Sequence, residues 1–313
     1  MNFFLNIGKL LVLVLLCGFG SCDGGGDPPF PPVIELPEFE AGVATGEVDN
    51  AEIDEASGLA ASGNFAGNFW VNNDSGDKNR LFLINNKGIY QGSIYLNGVQ
   101  NRDWEDIATT KIGNDNYLYV ADIGDNEASY GNEYSIYKVK EPNTLPTKNN
   151  DQYLSNFETI KFRYSDGARD AETILIDHST KDIYIVTKRE SRIRLYKLAS
   201  PQAINTLLTA EFLNELPIGG QLNNIPTGAT AGSISADNKE IMIKSYFQIY
   251  YWKLNSTETI QQALARKYDK TLPYSPEPQG EGISWDPATG GYYTIGEAGE
   301  AKNIVNLYYY KRK

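Results

Sequence analysis

Beyond residue 22 the chain contains no cysteine, and its whole length holds one histidine, His178. The first absence excludes disulfide staples and thiolate metal sites from any mature domain. The second excludes Ser-His-Asp triads and paired-histidine zinc sites. His178 itself stands in Asp177-His178-Ser179-Thr180-Lys181-Asp182, a polar stretch between two strand-like runs, and reads as a solvated turn residue. Basic excess is also missing: 28 Lys and Arg stand against 40 Asp and Glu, a formal charge of -12. That balance speaks against nucleic acid as a partner, which needs a basic face, and in favour of cations.

Long apolar runs are missing too, except Leu10 to Leu16 near the start, which is too short to span a bilayer. Lys9 precedes this run and Phe19-Gly20-Ser21-Cys22 follows it, the layout of a secretory signal. It resembles the signal and lipobox of bacterial lipoproteins, which implies cleavage after residue 21, a lipid on Cys22 and a membrane-anchored place in the cell envelope, periplasmic or at the cell surface. Residues 22–37 are rich in Gly and Pro and read as a tether. The remaining residues, 38–313, number about 270 and suffice for one large domain.

Two markers alternate along that domain. One is a small or acidic start to a short apolar strand: Glu55-Ala56-Ser57-Gly58-Leu59, Trp104-Glu105-Asp106-Ile107, Ala171-Glu172-Thr173-Ile174, Gly232-Ser233-Ile234 and Glu281-Gly282-Ile283. The other is an aromatic residue followed by Leu or Lys in a later aromatic-rich strand: Phe82-Leu83, Tyr137-Lys138, Tyr196-Lys197, Trp252-Lys253 and Tyr310-Lys311, spaced by 55, 59, 56 and 58 residues. Such a period means stacked units. Each unit holds short β-branched and aromatic runs separated by turn residues. The last unit lacks a fourth strand, and the run Gly42 to Val48 before the first unit can supply it. The expected fold is an all-β, five-bladed β-propeller closed by an N-terminal outer strand.

In antiparallel blades the innermost strands begin on the face where the second strands end. Ser57, Glu105, Glu172, Gly232 and Glu281 then surround one end of the axis, beside Asn72-Asn73-Asp74, Asp122-Ile123-Gly124-Asp125-Asn126, Lys188-Arg189, Lys244-Ser245 and Gly296-Glu297. Three glutamates on one axis must hold protons, spread into water or share a cation. Oxygen ligands favour Ca²⁺, which Glu105, Glu172 and Glu281 could share. The alternative is that each glutamate caps amides at its own blade.

These residues resemble the five-bladed calcium-activated nucleotidases, or apyrases: Glu55 to Leu59, Trp104-Glu105, Ala171-Glu172 and Glu281-Gly282-Ile283 look like that family's blade motifs. The resemblance implies a central Ca²⁺ with Ser57, Glu105, Glu172 and Glu281 as its ligands, and Lys188, Arg189 and Lys244 facing nucleotide phosphates; where Gly232 stands the family has serine. The chain also resembles a group of secreted bacterial propellers, through Asn73 to Asp77 and Asp103 to Ala108. Two functions are thus expected. One is a Ca²⁺-dependent hydrolase of phosphoanhydrides, a small-molecule phosphate ester being its partner, in which Asp74 or Asp106 orients water. The other is a non-catalytic propeller binding a glycan, peptide or protein on its acidic face.

Overall fold

The computed structural model describes residues 35–190, 192–219, 221–222, 225–226, 228–299 and 304–313. The signal, the lipid attachment at Cys22 and nearly all of the tether lie outside them. Residues Pro37–Lys313 form one compact unit.

The strands run in chain order. β1 (Val43–Glu47) precedes β2 (Ala56–Ala61), β3 (Asn68–Asn73), β4 (Arg80–Asn85) and β5 (Tyr90–Leu96). Next come β6 (Trp104–Ile112), β7 (Asp115–Asp122), β8 (Tyr134–Lys140), β9 (Gln152–Leu154) and β10 (Phe157–Tyr164), then β11 (Ala171–Ile176), β12 (Ile183–Thr187), β13 (Arg194–Leu198) and β14 (Leu208–Glu215). A small hairpin, β15 (Gln221–Leu222) with β16 (Ile225–Pro226), leads to β17 (Ala231–Ile234), β18 (Glu240–Lys244), β19 (Ile249–Lys253), helix α1 (Ile260–Ala265) and β20 (Lys270–Leu272). The chain ends with β21 (Gly280–Trp285), β22 (Tyr292–Gly296) and β23 (Asn306–Tyr310).

Each run of strands pairs with its sequence neighbours in antiparallel order: β2-β3-β4-β5, β6-β7-β8-β10, β11-β12-β13-β14 and β17-β18-β19-β20. In the last sheet β1 is the outer strand, pairing antiparallel with β23 from Val43 opposite Tyr309 to Glu47 opposite Asn306. The N-terminal run and the C-terminal strand therefore close one sheet together. The inner strands pack in the order β2, β6, β11, β17, β21, and β21 returns to β2. Radial sheets around a closed ring of inner strands make a β-propeller.

The packing explains why these strands read as continuous apolar runs. In β4, Leu81 and Leu83 join Leu118, Val120 and Val139 of the following sheet, while Phe82 and Ile84 join Tyr293, Ile295 and Leu307 of the preceding one. Alternate side chains point to opposite faces, and both faces are covered. Two outer connections depart from the simple repeat. β9, inside a polar insertion from Glu141 to Asn156 between β8 and β10, pairs parallel with β5. β10 pairs parallel with β14, which joins two sheets into one of eight strands.

Candidate metal centre

Four of the inner strands are bulged at the same place. The pairing slips between Ala56 and Gly58, between Trp104 and Asp106, between Ala171 and Thr173, and between Gly280 and Gly282. The extra residues are Ser57, Glu105, Glu172 and Glu281. A bulge sets two residues against one and re-aims the spare side chain. β17 instead pairs with β18 without a slip, Ala231 opposite Lys244 and Gly232 opposite Ile243.

The four bulged residues are buried; Glu105, Glu172 and Glu281 are 2 to 3% exposed. Ser57 Oγ lies 3.2 Å from Glu105 Oε2 and also donates to the Glu105 carbonyl. The ammonium of Lys188 joins the other two glutamates: it pairs with Glu172 Oε2 and lies 3.4 Å from Glu281 Oε1. Tyr246 completes this contact, accepting from Lys188 Nζ at 2.7 Å and donating to Glu281 Oε1 at 2.8 Å.

More acids stand around them than the sequence reading named. Asp103 and Asp170 each sit two residues before a bulged glutamate. The spacing recurs as Glu55-Ala56-Ser57, Asp103-Trp104-Glu105 and Asp170-Ala171-Glu172. That repeated acid was the signal that could have found them. Carboxylate oxygens of Asp74, Asp103 and Glu105 lie within 4.8 Å of one another, as do those of Glu105, Asp170 and Glu172. Glu105 is common to both triads. Gly124 makes room for this crowding, because a Cβ there would stand 2.2 Å from Glu105 Oε1 and 2.6 Å from Asp103 Oδ2.

So many carboxylates in one buried place cannot all be charged without compensation. Burial, then repulsion by Glu172, pushes Glu105 well above its ordinary range. Glu172 rises for the same first reason, although Lys188 opposes it. Burial and the neighbouring Asp74 push Asp103 up to about 7, and burial and Glu281 push Glu297 up to about 9. Burial works against the charge on Lys188, but Glu172 and Glu281 outweigh it and hold that ammonium well above its usual range. Without a bound cation, then, the cluster keeps protons at neutral pH.

The linkage has a definite sign. The folded state binds protons that the unfolded chain releases at ordinary carboxylate values, so this stability is present at low pH and lost as pH rises through the folded values. In chelator the stability is expected to fall between pH 5 and pH 9, by about 1.4 kcal/mol per pH unit where one such group titrates, and the melting temperature with it. Glu105→Gln with Asp103→Asn should flatten the slope; an unchanged slope would refute the proton-holding cluster.

Asp74 joins the cluster as a member of the first triad. Asp106 does not reach the acidic face. It is fully buried and accepts N–H groups of Ile107 at 2.8 Å, Ile174 at 3.0 Å and Gly232 at 3.4 Å, a bridge between inner strands. Lys244 is fully buried; its ammonium donates to the Gly280 carbonyl and lies 4.5 Å from the Tyr274 ring centroid. Burial lowers its pKa to about 8. Of the three cations expected at the site, Arg189 is the most open, 39% exposed, with Nε 2.6 Å from Asp170 Oδ2 and 2.7 Å from Asn126 Oδ1. Gly232 stands at the unbulged strand, so no fifth side chain enters there. His178 is not a solvated turn residue: it is partly buried at the far end of the inner strands, 2.9 Å from Thr110 Oγ1.

No protein-family model matches the sequence, and no curated protein matches it. Among solved structures the chain is similar to the β-propeller domain of Cps50 (Swd1) from Myceliophteria thermophila, at 10% identity and a TM-score of 0.39, over 81% of this chain and 82% of that one.

Proposed function

We propose that the chain is a five-bladed propeller, held in the cell envelope by lipid on Cys22, whose axial carboxylates bind Ca²⁺ and present it on the acidic face. The observation that carries this is the pair of carboxylate triads sharing Glu105. The donors suit a hard cation that takes about 6–8 oxygens, and nitrogen or sulfur ligands do not occur in either triad. Asp74, Asp103, Glu105, Asp170 and Glu172 would hold the ion, with the Ser57 hydroxyl beside them. Glu281 Oε2, buried and accepting no hydrogen bond, offers a further oxygen.

Thermal melts of the tether-free domain test it. After chelation, Ca²⁺ at about a hundred times its Kd should stabilise by about 2.7 kcal/mol. Glu105→Gln should abolish the shift. No shift, with no metal in the purified protein, would remove the reading.

On this face the better supported role is recognition of a glycan, peptide or protein partner through the bound ion. All three cations expected on phosphate have internal partners, and Lys188 and Lys244 are buried as well, whereas Arg189, paired with Asp170, is 39% exposed. Arg189 alone supports the second reading, hydrolysis of a phosphoanhydride. There its exposed guanidinium would grip phosphate oxygens, Asp74 would orient water, and the ion would offset developing charge. Ca²⁺-dependent release of phosphate from nucleoside di- or triphosphates, lost in Arg189→Ala at unchanged melting temperature, would establish that activity. Absence of phosphate release from the Ca²⁺-loaded wild type would leave recognition.

A further inference from the structure

The ring of inner strands encloses a second feature. Starting level with Leu59, Ile107, Ile174 and Gly232, a cavity of about 380 Å³ follows the axis to the face opposite the acidic cluster. Its size falls in the range of small-molecule sites. Aliphatic residues, among them Leu59, Ile107 and Ile174, line it together with Ser62, Thr110, His178, Lys181 and Ser233. Among the described residues, two lysines and the histidine line it and no carboxylate does. In a chain with a formal charge of -12 this is a local reversal of sign.

The polar end is held by three units together. Thr110 Oγ1 lies 2.9 Å from His178 Nδ1, and His178 Nε2 lies 3.3 Å from the Ile234 carbonyl. A neutral imidazole satisfies both, Nε2 donating and Nδ1 accepting. Thr110 Oγ1 in turn accepts from Lys181 Nζ at 3.3 Å, and that ammonium also donates to the His178 carbonyl. An ammonium has three protons, so one is left. Lys181 is held at φ 67°, in the left-handed region that disfavours a side chain, so its position is set by the loop. Trp285 lines the same cavity, is 4% exposed, and its indole N–H has no acceptor. An orphaned buried donor destabilises the fold until an acceptor meets it.

The geometry points to a second binding site here, for a small molecule with an apolar body and one anionic group, such as a short-chain carboxylate. The body fills the aliphatic part, the anion meets Lys181, and an acceptor on the ligand relieves Trp285. Asp106, bridging the inner strands above Ile107, separates this cavity from the cation cluster. The two sites are therefore expected to act independently.

Hexanoate is a direct probe, titrated by calorimetry and by tryptophan fluorescence up to about 10 mM. It should bind at least about ten times more tightly than hexylamine or hexanol. Lys181→Gly removes the ammonium while suiting the positive φ, so the variant should fold and lose about tenfold in hexanoate affinity. Trp285→Phe should weaken binding and silence the fluorescence change. Glu105→Gln should leave hexanoate binding intact, which keeps a failure of the Ca²⁺ reading distinct from a failure here. Absent hexanoate binding, equal binding of hexylamine, or undiminished affinity in a folded Lys181→Gly protein would each overturn the site.

Discussion

Lys188→Met, melted in chelator at pH 8, is expected to unfold about 10 °C below the wild type, and added Ca²⁺ to recover more of that loss than it gives the wild type. Lys188 is 3% exposed on its side chain and holds Glu172 and Glu281 with one ammonium. Removing one partner of a buried ion pair costs about 3–5 kcal/mol, because the other charge stays buried without compensation. For a domain of this size that corresponds to about 10 °C. Glu172, already raised by burial, can take up a proton instead, so the loss should be smaller at pH 5. A divalent ion bound next to them would do what the lysine did, hence the larger Ca²⁺ shift in the variant. Equal melting of variant and wild type in chelator would show that Lys188 does not neutralise the cluster.

The same geometry explains how much of the site could be read from the chain. Strands were legible because both faces of every sheet are covered, which leaves runs such as Leu81-Phe82-Leu83-Ile84 between turn residues. The axial residues were legible because each blade repeats its inner strand. What spacing could not show was the bulge. It lets Glu105 and Glu172 turn to the axis and draws Asp103 and Asp170, two residues earlier, into the same cluster. Nor could it show that Lys244 is spent on the Gly280 carbonyl, since that depends on β17 pairing without a slip. Asp106 looked like a candidate for the face because it adjoins Glu105. The strand alternation after the bulge sends it inward, onto the amides of Ile174 and Gly232.

Glu141 shows the opposite case, a residue that reads as the start of a polar insertion and is 1% exposed. It follows β8 and reaches back to the β2–β3 hairpin of the preceding sheet. There its carboxylate accepts Trp70 Nε1 at 2.7 Å, Gly63 N at 3.0 Å, Asn64 N at 3.1 Å and the Ser62 hydroxyl. Hydrogen bonds to a charged acceptor contribute about 1.5–3 kcal/mol each, and a buried donor left without one costs a similar amount. Glu141→Ala orphans the indole of Trp70, which is fully buried, together with the amides at the hairpin. The expected loss is about 4 kcal/mol in denaturant titration, with a melting temperature about 10 °C lower. Glu141→Gln keeps one acceptor oxygen but turns an NH₂ group toward donors, so it should lose about half as much. Because this clasp lies at the far end of the inner strands from Glu105, the variant's Ca²⁺-induced shift should match the wild type's. A loss below about 1 kcal/mol in Glu141→Ala would mean that water replaces the carboxylate, and that the two sheets hold together without it.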